Sequence, residues 1–263
     1  MSPNQPVLRD LPSGEVMGTR VNAVTMEEAS ERVLELAAQP ESHYVVAAAT
    51  HAIGVGAEDP SFCEALEGAS LLVPDGLPVA LSLRLQGFPD QPRVAGPDLM
   101  LEVCRLAAQR GVPIGLFGGH ESSLPKLEQN LKMWFPALQI AYSFSPPFRP
   151  LSEEEWAVER AKILGSGVRL LFVGLGCPKQ EKWMAAHSPE LPLVLLGVGA
   201  AFDFHAGVVK RAPKWMRRVG LEWLHRLLSN PRRLFARYLR YNSLFLWHLL
   251  KLRFSSSARV RRS

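Results

Sequence analysis

Five apolar residues in a row, Leu170 to Gly174, run straight into two glycines and a proline in the segment LLFVGLGCPKQEKWM, residues 170–184. The run has no polar–apolar alternation, so it does not suit a strand with one face in water. It reads as a strand buried on both sides, as in a parallel sheet covered by helices. Gly174 and Gly176 permit a tight turn, and Pro178 suits the first turn of a helix. Lys179, Gln180 and Glu181 then stand at that helix start. A buried strand therefore brings polar side chains and free backbone N–H groups to the carboxyl edge of a sheet. Open α/β folds bind ligands at this edge, and helix N-termini favour anions. The same stretch also fits an ordinary strand–helix turn with solvated polar residues.

The rest of the chain repeats this alternation. Strands are predicted at Gly18–Val24, Tyr44–Ala49, Ser70–Val73, Val112–Phe117, Leu138–Tyr142 and Leu193–Gly197, besides Leu170–Gly174. Helices are predicted at Met26–Ala38, Pro60–Gly68, Leu77–Leu85, Leu99–Arg110, Ser122–Trp134, Ser152–Leu164 and Gln180–His187. Thr25 with Glu28 and Ser152 with Glu155 have the spacing of capping boxes. Ser143–Pro150 reads as a loop rich in Pro and Phe. The expected fold class is α/β, a mostly parallel sheet with helices on both faces and right-handed crossovers. Residues 1–14 read as a disordered lead without the apolar core of a signal peptide. Residues 15–207 read as the α/β domain.

Charge divides the chain sharply. Of its 30 Lys and Arg residues, 15 lie from Lys210 onwards, accompanied by a single acid, Glu222. The first 209 residues hold 24 acids and are net acidic. A basic segment of this kind calls for a polyanionic partner or an anionic surface. From Leu221 the basic residues are interleaved with Leu, Phe and Trp at helical spacing, and Pro231 must break or kink the run. Two or three amphipathic helices are expected over 208–254, then a disordered basic tail over 255–263. Trp215, Trp223, Phe235, Trp247 and Phe254 suit a membrane interface, while the same spacing also suits packing on the body or on another subunit. No run reaches the roughly 18 apolar residues of a membrane span. Cys63, Cys104 and Cys177 have no paired spacing, which fits a reducing compartment without disulfides.

Thr50, His51, Asp75, Gln180 and Asp203 all fall at carboxyl ends of predicted strands, and Arg93 stands beside a Gly-rich turn. If the strands are neighbours, one crevice collects a carboxylate, a cation and amide donors. That set suits a nucleotide diphosphate and the deprotonation of a hydroxyl. Each residue has a plainer use: Asp in Pro-Asp-Gly is a common turn residue, His51 fits a loop, Arg93 a surface pair and Asp203 a cap. The dinucleotide fingerprint, the phosphate-binding loop and any metal-ligand spacing are missing from the sequence. A basic nucleic-acid-binding protein stays as the less favoured alternative, and nucleic acid is not the expected partner, because no recognised motif is present and bulky apolar residues interrupt the bases.

Five segments together resemble the WecG/TagA/CpsF glycosyltransferases: PDG at 74–76, RVAGPDLM at 93–100, GLGCPKQEKWM at 174–184, GVGAAFDFHAG at 197–207, and RAPKWMRRVGLEWLHRLLSNPRRLFARYL at 211–239. The resemblance implies a Rossmann-like α/β domain with a C-terminal membrane-docking appendage. It implies transfer of a sugar from a UDP-sugar to a polyprenyl-diphosphate-linked acceptor, at the cytoplasmic face of a bacterial membrane, in cell-surface polysaccharide synthesis. It implies Asp75 as the catalytic base, with Arg93, and Gly76, Gly176, Gln180 and Asp203 near the substrates. Arg211, Arg218, Arg226, Arg232, Arg233 and Arg237 are the implied holders of the lipid diphosphate. No cofactor or metal is implied, since the UDP-sugar is a substrate. Many members carry Thr-x-Asn after the second strand; here Ala47–Ala52 reads AAATHA, and Thr50 and His51 stand in that region without the Asn. N-acetylmannosamine is thus a default taken from the family. An inactive relative assisting a partner transferase, and a homo-oligomer, remain open at this point.

Overall fold

The computed structural model describes residues 11–229 and 231–260; the side chains of 233, 234, 236–238 and 254–260 are not described. An antiparallel hairpin, β1 (Ser13–Val16) and β2 (Thr19–Asn22), opens the fold. Then come α1 (Met26–Ala37), β3 (His43–Ala48), α2 (Thr50–Gly56), α3 (Pro60–Glu67), β4 (Leu71–Pro74), α4 (Leu77–Leu85) and α5 (Gly96–Arg110). The body continues with β5 (Ile114–Gly118), α6 (Leu124–Trp134), β6 (Ile140–Phe144), α7 (Glu153–Gly165), β7 (Leu170–Gly174), α8 (Lys179–His187), β8 (Val194–Gly197) and α9 (Ala201–His205). Three further helices form the appendage: α10 (Lys214–Arg218), α11 (Glu222–Ser229) and α12 (Pro231–Val260).

Six strands form one sheet in the order β4-β3-β8-β7-β5-β6, with every pairing parallel. Both faces are covered, which is why the strands lack alternation. In β7, Leu170 and Phe172 join the core under α1, α5, α6 and α9. Leu171 and Val173 face the opposite core, which α2, α3, α4, α7 and α8 complete. Both expected capping boxes are present, at Thr25–Glu28 and Ser152–Glu155.

The structure departs from the sequence reading in four places. Ser13 and Gly14, placed in a disordered lead, lie in β1, while residues 1–10 are outside the described residues. Thr50 and His51 do not end a strand but open α2, a helix the sequence hides behind two glycines and three β-branched residues of low helix propensity. Ser143 and Phe144, assigned to a loop, belong to β6. Finally, α12 continues to Val260, through most of the segment read as a frayed tail; 261–263 are outside the described residues. Pro231 breaks the run as expected: α11 ends at Ser229, and α12 begins at the proline, where a missing N–H costs nothing.

Packing explains why α2 and α12 form together. A Cβ at Gly54 would lie 2.1 Å from Cδ1 of Tyr241, so α12 approaches α2 closely only because this position is glycine. One turn later Phe245, 1% exposed, enters the sheet core beside α2 and α4. Arg240 and Tyr241 both bond Glu58 just past α2, at 3.0 and 3.2 Å. The opposite side of α12 is bare: Phe235, Leu239, Leu246 and Leu250 form an exposed stripe at helical spacing, with Trp247 beside it. Among the described residues no helix is long and apolar enough to cross a membrane.

Truncating a fully buried aromatic side chain removes its transfer energy and leaves a cavity. Phe245→Ala is therefore expected to lower stability in urea by about 3 kcal/mol and to raise hydrogen exchange along α12. Wild-type exchange in α12 would show that Phe245 does not hold it.

Candidate active site

Four neighbouring strands, β4, β3, β8 and β7, end on one stretch of the carboxyl edge. Strands lie about 4.8 Å apart, so this stretch spans about 14 Å of backbone. Asp75 and Gly76 follow β4; Thr50 and His51 follow β3; Val198 and Gly199 follow β8; Gly176 and Gln180 follow β7. The sheet thus brings Thr50, His51, Asp75 and Gln180 to one stretch of edge, while Asp203 lies further on, within α9.

Asp75 sits where β4 breaks into α4. Gly76 next to it has φ +107°, a conformation L side chains avoid, and its α-carbon faces the Thr50 hydroxyl. The segment 93–96 runs beside this turn, tied by a Val94 N–H to Pro74 C=O bond of 2.9 Å. It delivers two donors to Asp75: the Gly96 N–H at 3.3 Å from Oδ2, and Arg93 Nε at 3.5 Å from Oδ1. Gly96 is the first residue of the 15-residue helix α5, so the positive helix end points at the carboxylate. Buried His205 steadies this helix end by bonding Pro97 C=O at 2.8 Å; burial keeps its pKa low. The Asp75 side chain is 20% exposed. Burial pushes its carboxyl above the usual range, opposed by Arg93 and the Gly96 N–H, and Glu222 adds to the rise.

At the other end of the stretch, Gln180 is buried and fixed from three sides. Its Oε1 accepts from the Gly176 N–H at 3.2 Å, and its Nε2 donates to Glu181 Oε1 at 3.0 Å. A Cβ on Gly197 or Gly199 would approach the Gln180 amide to 3.2 Å, so β8 and its following turn lie flush against it. Glu181 is 1% exposed and burial raises its carboxyl pKa. His51 packs edge-on against the Tyr241 ring at 5.1 Å, with Nδ1 3.4 Å from Cys177 Sγ. Asp203 is half-buried on α9.

The appendage closes this edge through charge. Glu222 accepts from Arg93 at 2.5 Å and from Arg211 at 3.0 Å. Arg211 also grips both oxygens of Asp98, at 2.6 and 2.8 Å, and Arg217 reaches Asp98 at 3.4 Å. A relay of alternating charge therefore runs Asp75, Arg93, Glu222, Arg211, Asp98, Arg217. Arg211, expected to hold a lipid diphosphate, has Nε, Nη1 and Nη2 engaged with carboxylates of this relay. Beside the relay lies a cleft of ≈ 370 Å³ lined by Arg93, Ala95, Asp98, Lys214, Arg217 and Arg218. Arg226 stacks over Phe204, 5.7 Å from the ring centroid. Arg232 is exposed on α12, and the side chains of Arg233 and Arg237 are outside the described residues.

The profile of the glycosyl transferase WecG/TagA/CpsF family matches residues 14–259, nearly the whole chain. The protein belongs to this family. Membership makes it a glycosyltransferase, points to cell-surface polysaccharide synthesis, and implies a sugar donor and a sugar acceptor. The sequence reading missed Glu222, Asp98, Lys214 and Arg217 as parts of this edge. The available signal was Glu222 itself, the lone acid in a basic segment.

Burial raises the Glu222 carboxyl, but hydrogen bonds from Arg211 and Arg93 outweigh it and hold the group below the ordinary range. Asp98 is held low in the same way, chiefly by Arg211. A carboxyl depressed in the folded state adds stability above its unfolded pKa, and that stability is lost as pH falls through the folded value. Acidification below about pH 4 is therefore expected to free α10–α12, seen as new proteolysis between 208 and 231. Equal protection at pH 7 and pH 3 would rule the relay out as the anchor.

Proposed function

We propose that this glycosyltransferase moves a sugar from a UDP-sugar to a polyprenyl-diphosphate-linked acceptor sugar by inversion, with Asp75 as general base. The observation that carries the reading is the partly buried Asp75 carboxylate at the sheet edge, held between the Gly96 N–H and a fixed arginine, with burial raising it above its usual range. An ordinary aspartate is a weak base; one raised by burial is better matched to taking a hydroxyl proton. In the proposed step the acceptor oxygen attacks the anomeric carbon as its proton passes to Asp75. The bond from that carbon to the diphosphate oxygen breaks, and UDP leaves with the electron pair from the opposite face.

The growing charge on UDP needs a preorganised counter-charge. We assign this to cations and N–H groups of the chain, not to a metal ion. The Gly176–Gln180 turn is the proposed donor side, with Thr50, His51 and Asp203 as further substrate contacts. The cleft holding Lys214, Arg217 and Arg218 is the proposed seat of the acceptor diphosphate. N-acetylmannosamine is the default donor sugar by family. The exposed stripe of α12, with Trp215 at 63% exposure, is proposed to rest on the inner face of the cytoplasmic membrane as a peripheral contact.

Two measurements test this. Asp75→Asn is expected to lower acceptor-dependent UDP release by about 10²- to 10⁴-fold, with UDP affinity by calorimetry unchanged. Turnover within a few-fold of wild type would remove Asp75 from the role. For the membrane contact, replacing Trp215 and Trp247 together by Ala is expected to weaken binding to anionic vesicles while leaving the circular dichroism spectrum intact. Equal vesicle partitioning of the variant and wild type would refute the contact.

A further inference from the structure

Arg93 stands between two carboxylates and bonds them unequally: Glu222 at 2.5 Å, Asp75 at 3.5 Å. A guanidinium free to choose would take Asp75 in a two-pronged pair, which is the strongest geometry available to it. That pair would occupy the carboxylate oxygens and hold Asp75 as a permanent anion of low basicity.

The position of Glu222 is not adjustable. It opens α11, and the preceding Gly220 has its backbone pressed on α4, where a Cβ would lie 2.5 Å from Leu77 Cδ2. On its other side Arg211 fixes the second oxygen at 3.0 Å. The carboxylate therefore arrives at Arg93 from a site set by the appendage, two residues along the chain from the close contact with the Asp75 turn.

We propose that Glu222 is a positioning residue, holding Arg93 back from Asp75 so that the Asp75 carboxylate is open to a substrate proton only while the appendage is seated. This goes beyond the proposed reaction but rests on it for its catalytic meaning. The groups facing Asp75 are Arg93 and the Gly96 N–H from the 93–96 segment, Glu222 and Arg226 from α11, and the Thr50 hydroxyl near Gly76 from α2. The charge of Glu222 raises the Asp75 carboxyl, while those of Arg93 and Arg226 lower it. Withdrawing Glu222 takes away a raising influence and lets a lowering one close in, so both changes act in the same direction.

The test reads the Asp75 carboxyl directly, without substrate. In full-length protein labelled with ¹³C at aspartate, the Asp75 signal, assigned by its loss in Asp75→Asn, is titrated in wild type, Glu222→Gln, Glu222→Asp and Arg240→Ala. Glu222→Gln is expected to titrate at lower pH. Glu222→Asp, which keeps the charge but draws it back by one methylene, is expected to shift the same way. Arg240→Ala loosens a different contact of α12, with Glu58, and is expected to leave the titration unchanged. A wild-type titration in Glu222→Gln overturns the proposal. So does a wild-type titration in Glu222→Asp, which would leave only a charge effect, or an equal shift in Arg240→Ala, which would leave only general loosening. Turnover is then measured on the same variants, with an expected fall in kcat of about 10- to 100-fold at unchanged donor KM and an acid limb that follows the titration. A carboxyl shift with an unmoved turnover profile would leave the positioning intact and remove Asp75 as the base.

Discussion

Two arginines sharing one buried carboxylate hold the carboxyl edge of this molecule together. Glu222 is withdrawn from water, its side chain 10% exposed, with Arg93 on one oxygen and Arg211 on the other. Taking such charges out of water is costly, and breaking a buried pair by removing one partner costs about 3–5 kcal/mol, because the other is left uncompensated. The relay is therefore more consequential for architecture than for net stability. It ties the basic appendage to the acidic body in one register, with Glu222 on Arg93 and Arg211 on Asp98.

The sheet was largely legible in the sequence because burial on both faces leaves a plain trace. Leu170–Gly174 and Leu77–Leu85 have the bounds expected of them, and both capping boxes formed. What was hidden follows a pattern. Strand β1 is short and partly polar, and α2 carries Gly54 and Gly56, which argue against a helix locally. Gly54 makes sense only once Tyr241 is seen against it, 187 residues away in sequence. The strand-end residues of the site were legible because parallel topology sends every strand end to one edge. Their order along that edge was not, since it depends on which strands are neighbours.

The appendage answers a question that the sequence left between packing and surface contact. On α12, Tyr241 and Phe245 face the body, while Phe235, Leu239, Leu246 and Leu250 face outward. Leu and Trp at helical spacing serve both sides of one rod, so a single stripe reading could not separate them. Within the basic set, Arg211 differs from its neighbours in the same manner. Its sequence context matches theirs, yet its three side-chain nitrogens are committed to Asp98 and Glu222. Lys214 and Arg218 line open space instead.

The partners of the appendage lie early in the chain. Arg93 meets Glu222 across 129 residues, and Arg240 meets Glu58 across 182. Contacts of such separation form late, after the loop-closure entropy of everything between them has been overcome. On a ribosome the first partners emerge long before the last. The α/β body can therefore assemble with its edge still open, and the helix made last is the one that completes it. A nascent or prematurely ended chain would carry Asp75 and Arg93 without the Glu222 carboxylate that shares Arg93 in the finished protein.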